Sequence, residues 1–485
     1  MKYSVITFGC RVNQADSLGF EEELRATGAV AVPPDAADLV VVNTCSVTAS
    51  ADQGARQTIR RVARDNPGAR IVVTGCYATR RPADMAALPN VACVVPNDDK
   101  PQLIQVLRST PTTAERFGDG DGSCGAAVEP GVAGRTAFTL RVQTGCAEPC
   151  SYCIIPTTRG TPRSVPVDDV LREVDRVASA GFKEIALTGV HLGSYGRDLQ
   201  PRTSLIGLLR ALGEVPPEAD TTHSGAKATY RSAKASAFAE ATADRRSLGG
   251  GWSAGRHDLL FRISSLEPMD CSREIVELVA TSERFAPHFH LPLQHASDRV
   301  LAAMRRPYTI AYYASLVDDI RARVPHASIG SDIIIGFPGE TGDDFERLAS
   351  YLERSPLTHL HVFPYSDRPG TPASTMREKV GGVAVRERAR RIRAIGQRLA
   401  SRFLESQIGA VRRGLTVEDG SRVVTDNYMK LRIAPGRGRN EWVAVRIAGP
   451  DNGVSTGDDV PERRRQTASQ ADRRGRRRDL GPSRS

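Results

Sequence analysis

Three cysteines with the spacing Cys-x3-Cys-x2-Cys lie in the stretch TGCAEPCSYCIIP: Cys146, Cys150 and Cys153. Structural zinc sites usually have four protein ligands, and a disulfide framework requires an even number of cysteines. Three thiolates so close in sequence therefore indicate a metal ion or an iron–sulfur cluster that keeps one coordination position open. A zinc ion with three thiolate ligands is the alternative.

Three further cysteines each follow a short apolar run that is typical of a β-strand: Cys10, Cys45 and Cys76. Amphipathic segments separate these runs, and this alternation predicts a parallel sheet covered by helices in an N-terminal α/β domain, residues 1–110. Ligands bind at the carboxyl ends of the strands in such sheets. The sequence thus predicts a second three-cysteine site there, with chance placement of buried cysteines as the alternative.

A longer alternation of strands and helices is predicted for residues 135–382, after a linker rich in Gly, Asp and Ser at 111–134. Six β/α repeats predict a partial or complete parallel barrel, which carries its chemistry at the carboxyl ends of its strands. Cys146 directly follows the first of these strands. Residues 216–257, rich in Ala, Ser, Thr and Gly, interrupt the alternation and are predicted to be a disordered surface insertion.

The C-terminal part is predicted to contain a connecting helix at 383–407 and a small antiparallel β-barrel at 408–450. The barrel segment mixes cations and aromatic rings, as surfaces that bind single-stranded nucleic acid do: Tyr428, Lys430, Arg432, Arg437, Arg439 and Trp442. A purely structural barrel is the alternative. The Arg-rich segment 451–485 is predicted to be disordered and attracted to phosphate, unless it is a solvated tail without a set role.

Composition limits the class of protein. The chain has 485 residues, nine cysteines and a formal net charge of +10, which suits a polyanionic partner. Its first residues have no signal-peptide pattern, and no apolar run reaches the roughly 20 residues of a membrane span. We therefore expect a cytoplasmic protein without a membrane partner, whose cysteines are thiolates rather than disulfides.

The cysteine run, with Tyr152 before its last cysteine, resembles the signature of the radical S-adenosylmethionine superfamily. Apart from the insertion and the tail, the chain resembles the methylthiotransferases of that superfamily, which have an N-terminal three-cysteine domain, a radical barrel and a C-terminal TRAM barrel that binds RNA. Seven motifs match in order: FGCRVNQADS, NTCSVT, TGCY, GCAEPCSYCIIPTTRG, LTGVHLGSYG, SDIIIGFPGET and HVFPYSDRPGTPA.

This resemblance implies two [4Fe–4S] clusters. The set Cys146, Cys150 and Cys153 would hold the cluster whose open iron binds S-adenosylmethionine. The set Cys10, Cys45 and Cys76 would hold an auxiliary cluster that carries the sulfur to be inserted. The S-adenosylmethionine pocket would be lined by Tyr152, Gly189, Gly336, Pro338, Gly339 and Glu340. One S-adenosylmethionine would donate a methyl group and another would yield the radical that removes hydrogen from the substrate carbon, so no catalytic side-chain acid or base is expected.

The implied partners are the anticodon stem-loop of a tRNA, an electron donor such as a flavodoxin or ferredoxin, and a sulfur source. GCRVNQ, LTGVHLGSYG, RISSLEP and TDNYMKLRI resemble the branch that adds a methylthio group to C2 of N6-threonylcarbamoyladenosine next to the anticodon. The alternatives are the branch acting on isopentenyladenosine in tRNA, the branch acting on an aspartate of a ribosomal protein, and a non-catalytic iron–sulfur protein that binds RNA.

The sequence departs from the family pattern at three places. LPLQHASD has His295 and Ala296 where that branch commonly has a small pair, AEP replaces a polar triplet between Cys146 and Cys150, and the insertion interrupts the barrel. The insertion puts activity in question more than fold. Three remaining cysteines match no motif: Cys93, Cys124 and Cys271.

Overall fold

The structure is a computed structural model that describes residues 1–104, 130, 136–213 and 258–455. The predicted linker at 111–134, apart from Pro130, lies outside the described residues, together with Cys124. The predicted insertion at 216–257 and the Arg-rich segment beyond residue 455 lie outside them as well.

The N-terminal unit is a parallel five-stranded sheet with the strand order β2-β1-β3-β4-β5. Its strands are β1 (Lys2–Thr7), β2 (Val30–Ala31), β3 (Leu39–Thr44), β4 (Arg70–Gly75) and β5 (Val91–Val95). Its helices are α1 (Arg11–Ala26), α2 (Ala49–Asp65), α3 (Cys76–Arg80) and α4 (Pro82–Ala86). Every residue of β3 is buried, as expected for a central parallel strand with helices on both faces.

Among the described residues of the central unit, six strands run parallel and two more form an antiparallel pair. In chain order the strands of this unit are β6 (Phe138–Arg141), β7 (Gln143–Thr144), β8 (Arg163–Ser164), β9 (Glu184–Thr188), β10 (Leu260–Ile263), β11 (His288–His290), β12 (Ser328–Ile335) and β13 (His359–Pro364). Strands β6, β9 and β10 form one sheet and β11, β12 and β13 another, while bridges Phe261–Phe285 and Ser265–His290 connect the two. Strands β7 and β8 form a separate antiparallel pair. The predicted partial barrel is confirmed.

In the part of the chain that the structure describes, seven α-helices accompany the barrel: α5 (Ile155–Arg159), α6 (Val167–Ser179), α7 (Leu205–Gly213), α8 (Arg273–Thr281), α9 (Asp298–Ala303), α10 (Ile310–Arg323) and α11 (Gly342–Arg354). Their apolar side chains and those of the strands form one continuous core. Ile329, Ile333 and Ile335 of β12 point into this core. Because side chains alternate along a strand, Gly330 and Asp332 face the lumen of the barrel instead.

The C-terminal unit follows a long helix, α12 (Gly382–Gln407). Its strands are β14 (Val411–Val417), β15 (Arg422–Thr425), β16 (Lys430–Arg432), β17 (Trp442–Ile447) and β18 (Gly453–Ser455). They pair antiparallel in the order β16-β15-β14-β17-β18, and a bridge between Arg432 and Asn452 brings the two edges together. The predicted small antiparallel barrel is confirmed. None of the helices in the described ranges is long and apolar enough to cross a membrane.

A buried ion-pair network joins the N-terminal sheet to the barrel. The Asp16 carboxylate on α1 accepts hydrogen bonds from Lys100 Nζ at 2.6 Å and from Arg159 Nη2 at 3.2 Å, and it also pairs with Arg141. Burial alone would raise the pKa of Asp16, but the three cations outweigh burial and lower it to about 2. The network therefore fixes the orientation of one unit against the other.

A second buried contact joins the central unit to the C-terminal barrel. Arg262 of β10 is completely buried and pairs with Glu184 of β9, with Nε 2.9 Å from Oε1. Its Nη1 also donates a hydrogen bond to the carbonyl oxygen of Asp426 at 3.1 Å, and the ring of Tyr428 lies 4.9 Å from its guanidinium carbon. The loop between β15 and β16 is thus held against the barrel strands.

Candidate active site

Cys10, Cys45 and Cys76 follow the carboxyl ends of three adjacent strands, β1, β3 and β4. Cys10 is exposed, whereas Cys45 and Cys76 are buried. Burial raises the pKa of the Cys45 thiol to about 12, and the nearby thiols of Cys10 and Cys76 add to that rise. The structure therefore brings together three cysteines that 35 and 31 residues of sequence separate.

Two glycines allow the three cysteine loops to approach one another. A Cβ atom on Gly9 would lie 2.5 Å from Cys45 Cβ and 2.6 Å from its sulfur. A Cβ atom on Gly75 would lie 2.2 Å from the carbonyl oxygen of Thr44. Both glycines also have φ above +90°, a conformation that residues with a Cβ rarely adopt. The close packing of these loops thus depends on a glycine before Cys10 and before Cys76.

Asn13 and Arg159, which the sequence reasoning missed, support this site. Asn13 Nδ2 donates hydrogen bonds at 2.9 Å to the carbonyl oxygens of Phe8 and Thr44, so one side chain holds the loops that carry Cys10 and Cys45. Arg159 belongs to the barrel, is buried, and its Nη2 donates a hydrogen bond to Asn13 Oδ1. Burial lowers the pKa of Arg159, but the charges of Cys76 and Asp16 outweigh burial and raise it. Both residues lie within quoted motifs, but their partners are far away in sequence.

The second set, Cys146, Cys150 and Cys153, lies between β7 and α5. Two of the sulfurs accept hydrogen bonds, Cys146 from the amide of Glu148 at 3.4 Å and Cys150 from Arg306 Nη1 at 3.2 Å. Burial raises the pKa of the Cys146 thiol to about 11 and that of the Cys153 thiol to about 12. The donors are placed where they would stabilise thiolates that hold a metal cluster.

Both sets fit a cluster better than a single ion. All six cysteines are free of disulfides. Thiolates around one zinc ion, with Zn–S bonds of about 2.3 Å, lie about 3.8 Å apart. Within the described ranges, neither cysteine set brings three ligand atoms within 4.8 Å of one another. Three thiolates that lie farther apart than around one zinc ion, with nearby amide and guanidinium donors, suit a [4Fe–4S] cluster that keeps one iron open.

The residues proposed for the S-adenosylmethionine pocket lie around the second set. Tyr152 packs against an apolar group that includes Met304 and Phe337, the second residue of the GFPGE loop. Gly189 follows the end of β9 and lies beside Gln143. Gly336, Pro338, Gly339 and Glu340 follow the end of β12.

Glu340 also holds its own loop in shape. Its Oε2 accepts hydrogen bonds from the amides of Gly336 and Phe337, at 2.6 and 3.2 Å, and its Oε1 accepts one from Arg388 Nη1 at 2.7 Å. Its carboxylate is thus fully engaged within the protein. Any contribution of Glu340 to a cofactor pocket therefore goes through the shape of the loop.

His295, one of the departures from the family pattern, is completely buried. Its Nδ1 accepts a hydrogen bond from the amide of Ser297 at 3.0 Å, and its Nε2 lies 3.8 Å from Glu340 Oε2. Burial lowers the pKa of His295 to about 4, so its ring is neutral at physiological pH. Ala296 is also buried. Both residues pack behind the GFPGE loop.

Polar groups line the lumen of the barrel. Asp332 Oδ1 of β12 lies 2.9 Å from His290 Nε2 and 3.2 Å from His361 Nδ1, so the two imidazoles share one carboxylate oxygen. Burial lowers the pKa of the neighbouring His359 to about 4. His288 completes this row, and its ring centroid lies 4.8 Å from that of Tyr428 of the C-terminal barrel.

The aromatic residues of the C-terminal barrel are less available to RNA than the sequence suggested. Tyr428 is turned towards the central barrel, between His288 and Arg262. The Trp442 ring lies 3.8 Å from the guanidinium carbon of Arg413, and its Nε1 donates to the carbonyl oxygen of Asp258. Lys430 and Arg432 are exposed on β16. The surface of this barrel therefore exposes the cations Lys430 and Arg432 to solvent more than it exposes its aromatic rings.

Two described cysteines outside the two sets, Cys93 and Cys271, have structural positions. Cys93 lies half-buried in β5 and packs against the core of the N-terminal sheet. Cys271 is buried in the core of the central unit, just before α8. Neither lies in one of the two cysteine sets.

Comparison with known proteins agrees with this division. Residues 2–96 match the family described as uncharacterized protein family UPF0004, and residues 140–352 match the radical SAM superfamily. Among solved structures, a radical S-adenosylmethionine methyltransferase, TsrM from Kitasatospora setae, is similar with a TM-score of 0.50 and 14% identity. That similarity covers 77% of this chain and 74% of TsrM. It supports the fold alone.

Full-length relatives are more informative. A protein from Aquifex aeolicus named threonylcarbamoyladenosine tRNA methylthiotransferase MtaB is 33% identical over 440 residues, covering 89% of this chain and 96% of the relative. A protein of the same name from Bacillus subtilis is 31% identical and covers 88% of each chain. A protein from Carboxydothermus hydrogenoformans named tRNA-2-methylthio-N(6)-dimethylallyladenosine synthase is 31% identical, covering 78% and 79%. The chain therefore belongs to the family of radical S-adenosylmethionine methylthiotransferases.

Proposed function

We propose that this enzyme adds a methylthio group to C2 of N6-threonylcarbamoyladenosine next to the anticodon of a tRNA. The observation that carries the proposal is the pair of open three-cysteine sets on two adjoining units, linked by Arg159. This arginine lies six residues after Cys153 in sequence and donates a hydrogen bond to Asn13, the side chain that holds the loops of Cys10 and Cys45 in the other set. Such an arrangement suits a substrate carbon held between two clusters.

The groups held by the two sets supply the chemistry when bound: sulfur at one side, and a methyl group and a carbon radical from S-adenosylmethionine at the other. The chain itself positions these groups. Arg306 and the amide of Glu148 donate to sulfurs of the second set, while Asn97 donates to Cys76 and Arg159 donates to Asn13. Because reacting atoms must meet in a narrow range of geometries, rigid positioning is a large part of catalysis here.

We assign S-adenosylmethionine to the space beside the second set. Tyr152, Gly189 and the GFPGE loop border that space, and Glu340 keeps the loop in shape. The RNA partner is a tRNA, and the proposal extends to its anticodon stem-loop, to an electron donor such as a flavodoxin or ferredoxin, and to a sulfur source in the cytoplasm. The names of the full-length relatives support the tRNA substrate.

The test is nucleoside mass spectrometry on tRNA from a host that lacks its own threonylcarbamoyladenosine methylthiotransferase. We expect the methylthio form of threonylcarbamoyladenosine to appear when this chain is expressed. Variants C45A and C150A should abolish it, because each opens one cysteine set, whereas C93A should not. A rise in methylthio-isopentenyladenosine instead would overturn the substrate while leaving the enzyme class. No change in either nucleoside, with both clusters present, would overturn the proposal.

A further inference from the structure

Arg11 occupies the point where the three units of the protein meet. It is the first residue of α1, directly after Cys10, and is half-buried. Its Nη2 donates a hydrogen bond at 3.3 Å to the hydroxyl oxygen of Tyr428, in the C-terminal barrel. On the side of the central barrel, the ring centroid of Tyr428 lies 4.8 Å from that of His288. His288 begins a row of imidazoles that continues through His359 to His361, with centroid spacings of 6.1 and 5.7 Å.

The partners of Arg11 differ from those of three buried arginines elsewhere in the protein. Arg159 pairs with Asp16, Arg262 with Glu184 and Arg306 with Glu267. By contrast, no ion pair joins Arg11 to a carboxylate within the described parts of the chain. A guanidinium without a carboxylate partner can form charge-assisted hydrogen bonds to an anion, so this position favours an anionic ligand.

The surroundings of Arg11 are open to a ligand. The side chain of His361 is 56% exposed, and Tyr428 is 36% exposed. Phe363, two residues after His361 on β13, is 40% exposed, and its ring centroid lies 6.4 Å from that of His361. An exposed aromatic ring beside cationic and hydroxyl groups fits a ligand that combines a planar base with a negative charge.

We propose that Arg11, with the Tyr428 hydroxyl and the His361 imidazole, binds the carboxylate of the threonyl group on the substrate base. This subsite rests on the proposed function, because threonylcarbamoyladenosine carries a carboxylate that isopentenyladenosine lacks. Asp332 orients His361 by hydrogen bonding to Nδ1, which leaves Nε2 for a ligand. A site built to pair with a charged group discriminates strongly against a substrate that lacks it, so Arg11 sets specificity.

Arg11 has a second conceivable role, since it neighbours Cys10 and its charge would balance the thiolates of the first cysteine set. Both roles predict that R11Q loses activity on tRNA. They differ in what happens to a substrate without the carboxylate. Loss of a charge-balancing residue would impair all substrates equally, whereas loss of a carboxylate-binding residue would impair only the substrate that has the carboxylate.

The test uses the full-length protein with both clusters reconstituted and two synthetic anticodon stem-loops. One carries threonylcarbamoyladenosine, and the other carries the same group with its carboxylate replaced by a carboxamide. We expect the wild type to prefer the acid by about 10- to 100-fold in kcat/KM, the range of one or two charge-assisted hydrogen bonds. R11Q should lose this preference. Its kcat/KM should fall on the acid and stay within about twofold of the wild-type value on the amide.

Three further variants sharpen the result. R11K should regain part of the preference, and Y428F, which keeps the charge of Arg11, should lower it by about threefold to tenfold. R60Q, which removes an exposed arginine of α2, should match the wild type. Dissociation constants of the two RNAs, measured without S-adenosylmethionine, should show the same preferences without turnover.

The inference is overturned if the wild type has the same kcat/KM on the acid and the amide, or if R11Q reduces kcat/KM equally on both. If R11Q loses iron from the first cysteine set, the variants Y428F and R11K decide between the two roles, because both keep a cation beside Cys10. A lowered acid preference in Y428F supports carboxylate binding, and an unchanged preference in both variants overturns it. A wild type that modifies only isopentenyladenosine would instead refute the proposed function, and this is visible before any variant is made.

Discussion

Arg306 Nη1 lies 3.2 Å from Cys150 Sγ, and the same guanidinium forms a buried ion pair with Glu267. Arg306 lies in the turn after α9, 156 residues after Cys150 in sequence. Its ring neighbour Tyr308, 5.1 Å from the guanidinium carbon, also bonds to the carbonyl oxygens of Pro292 and Leu293. The Cys150 sulfur is therefore tied, through Arg306 and Tyr308, to the segment that follows β11.

The first prediction concerns this arginine. A hydrogen bond to a sulfur ligand stabilises the reduced, more negative cluster, so R306M should lower the reduction potential of the second-set cluster and slow S-adenosylmethionine cleavage. Redox titration followed by electron paramagnetic resonance measures the potential. E267Q is the matched control, since it removes the ion pair but leaves the donor to Cys150. Equal potentials in R306M and the wild type would contradict the role of the hydrogen bond.

The second prediction concerns the close approach of the loops at Gly9. A Cβ there would overlap Cys45, so G9A should prevent assembly of the first cysteine set while the second still forms. Reconstituted G9A should bind about four irons per chain instead of about eight. It should still cleave S-adenosylmethionine but fail to methylthiolate RNA. G19A is the control, because a Cβ on Gly19 of α1 meets nothing within 4 Å. Full iron content in G9A would refute the argument.

The third prediction concerns Asp16 in the ion-pair network between units. D16N leaves three cations without their anion and should lower the free energy of unfolding by about 3 to 5 kcal/mol. D98N, which removes an exposed partner of Arg163, should change it by less than about 1 kcal/mol. Denaturant unfolding at neutral pH measures both. A small effect of D16N would mean that the network does not hold the units together.

Acid should reveal the same contact. The folded pKa of Asp16 is lowered from 3.8 to about 2, so its contribution is present in full above about pH 4 and is lost as the pH falls through 2. The pH-dependent part of the stability that Asp16 provides is about 2 kcal/mol at neutral pH, and the rest of the loss in D16N comes from the cations left without an anion. The stability difference between wild type and D16N should therefore be constant from pH 7 to about pH 5 and shrink below about pH 4. A difference that grows on acidification would have the wrong sign.

Much of the fold was predictable because its signals are local. Runs such as DLVVVN identify buried parallel strands, and a cysteine placed just after each run lies at the edge of the sheet where ligands bind. Strand order then brings Cys10, Cys45 and Cys76 together, since β1, β3 and β4 are neighbours. The spacing within the second set is local as well. Local patterns thus predicted both sets of cysteines.

The contacts that support the site were not predictable in this way. Arg159 meets Asp16 across 143 residues, Arg306 meets Cys150 across 156, and Arg11 meets Tyr428 across 417. No periodicity in the sequence marks a pairing between separate units. The motif around Glu340 suggested a pocket residue, yet its bonds to the GFPGE backbone emerge only from the fold. The apolar core was therefore predictable from the sequence, whereas the long-range polar contacts were not.

The fourth prediction concerns Arg262 and the docking of the C-terminal barrel. R262M removes the donor to the carbonyl oxygen of Asp426 and the cation beside Tyr428, so the C-terminal barrel should detach from the central unit. Limited proteolysis should then cut between the two, and RNA binding should weaken more than S-adenosylmethionine cleavage. E184Q separates this effect from loss of the buried ion pair, since it destabilises the central unit but leaves Arg262 bonded to the C-terminal barrel. R446M, which removes an exposed arginine bonded to Gly409, should behave as the wild type. If R262M and E184Q gave the same proteolysis pattern and the same RNA affinity, Arg262 would act only within the central unit, and the attachment of the C-terminal barrel would have to rest on other contacts.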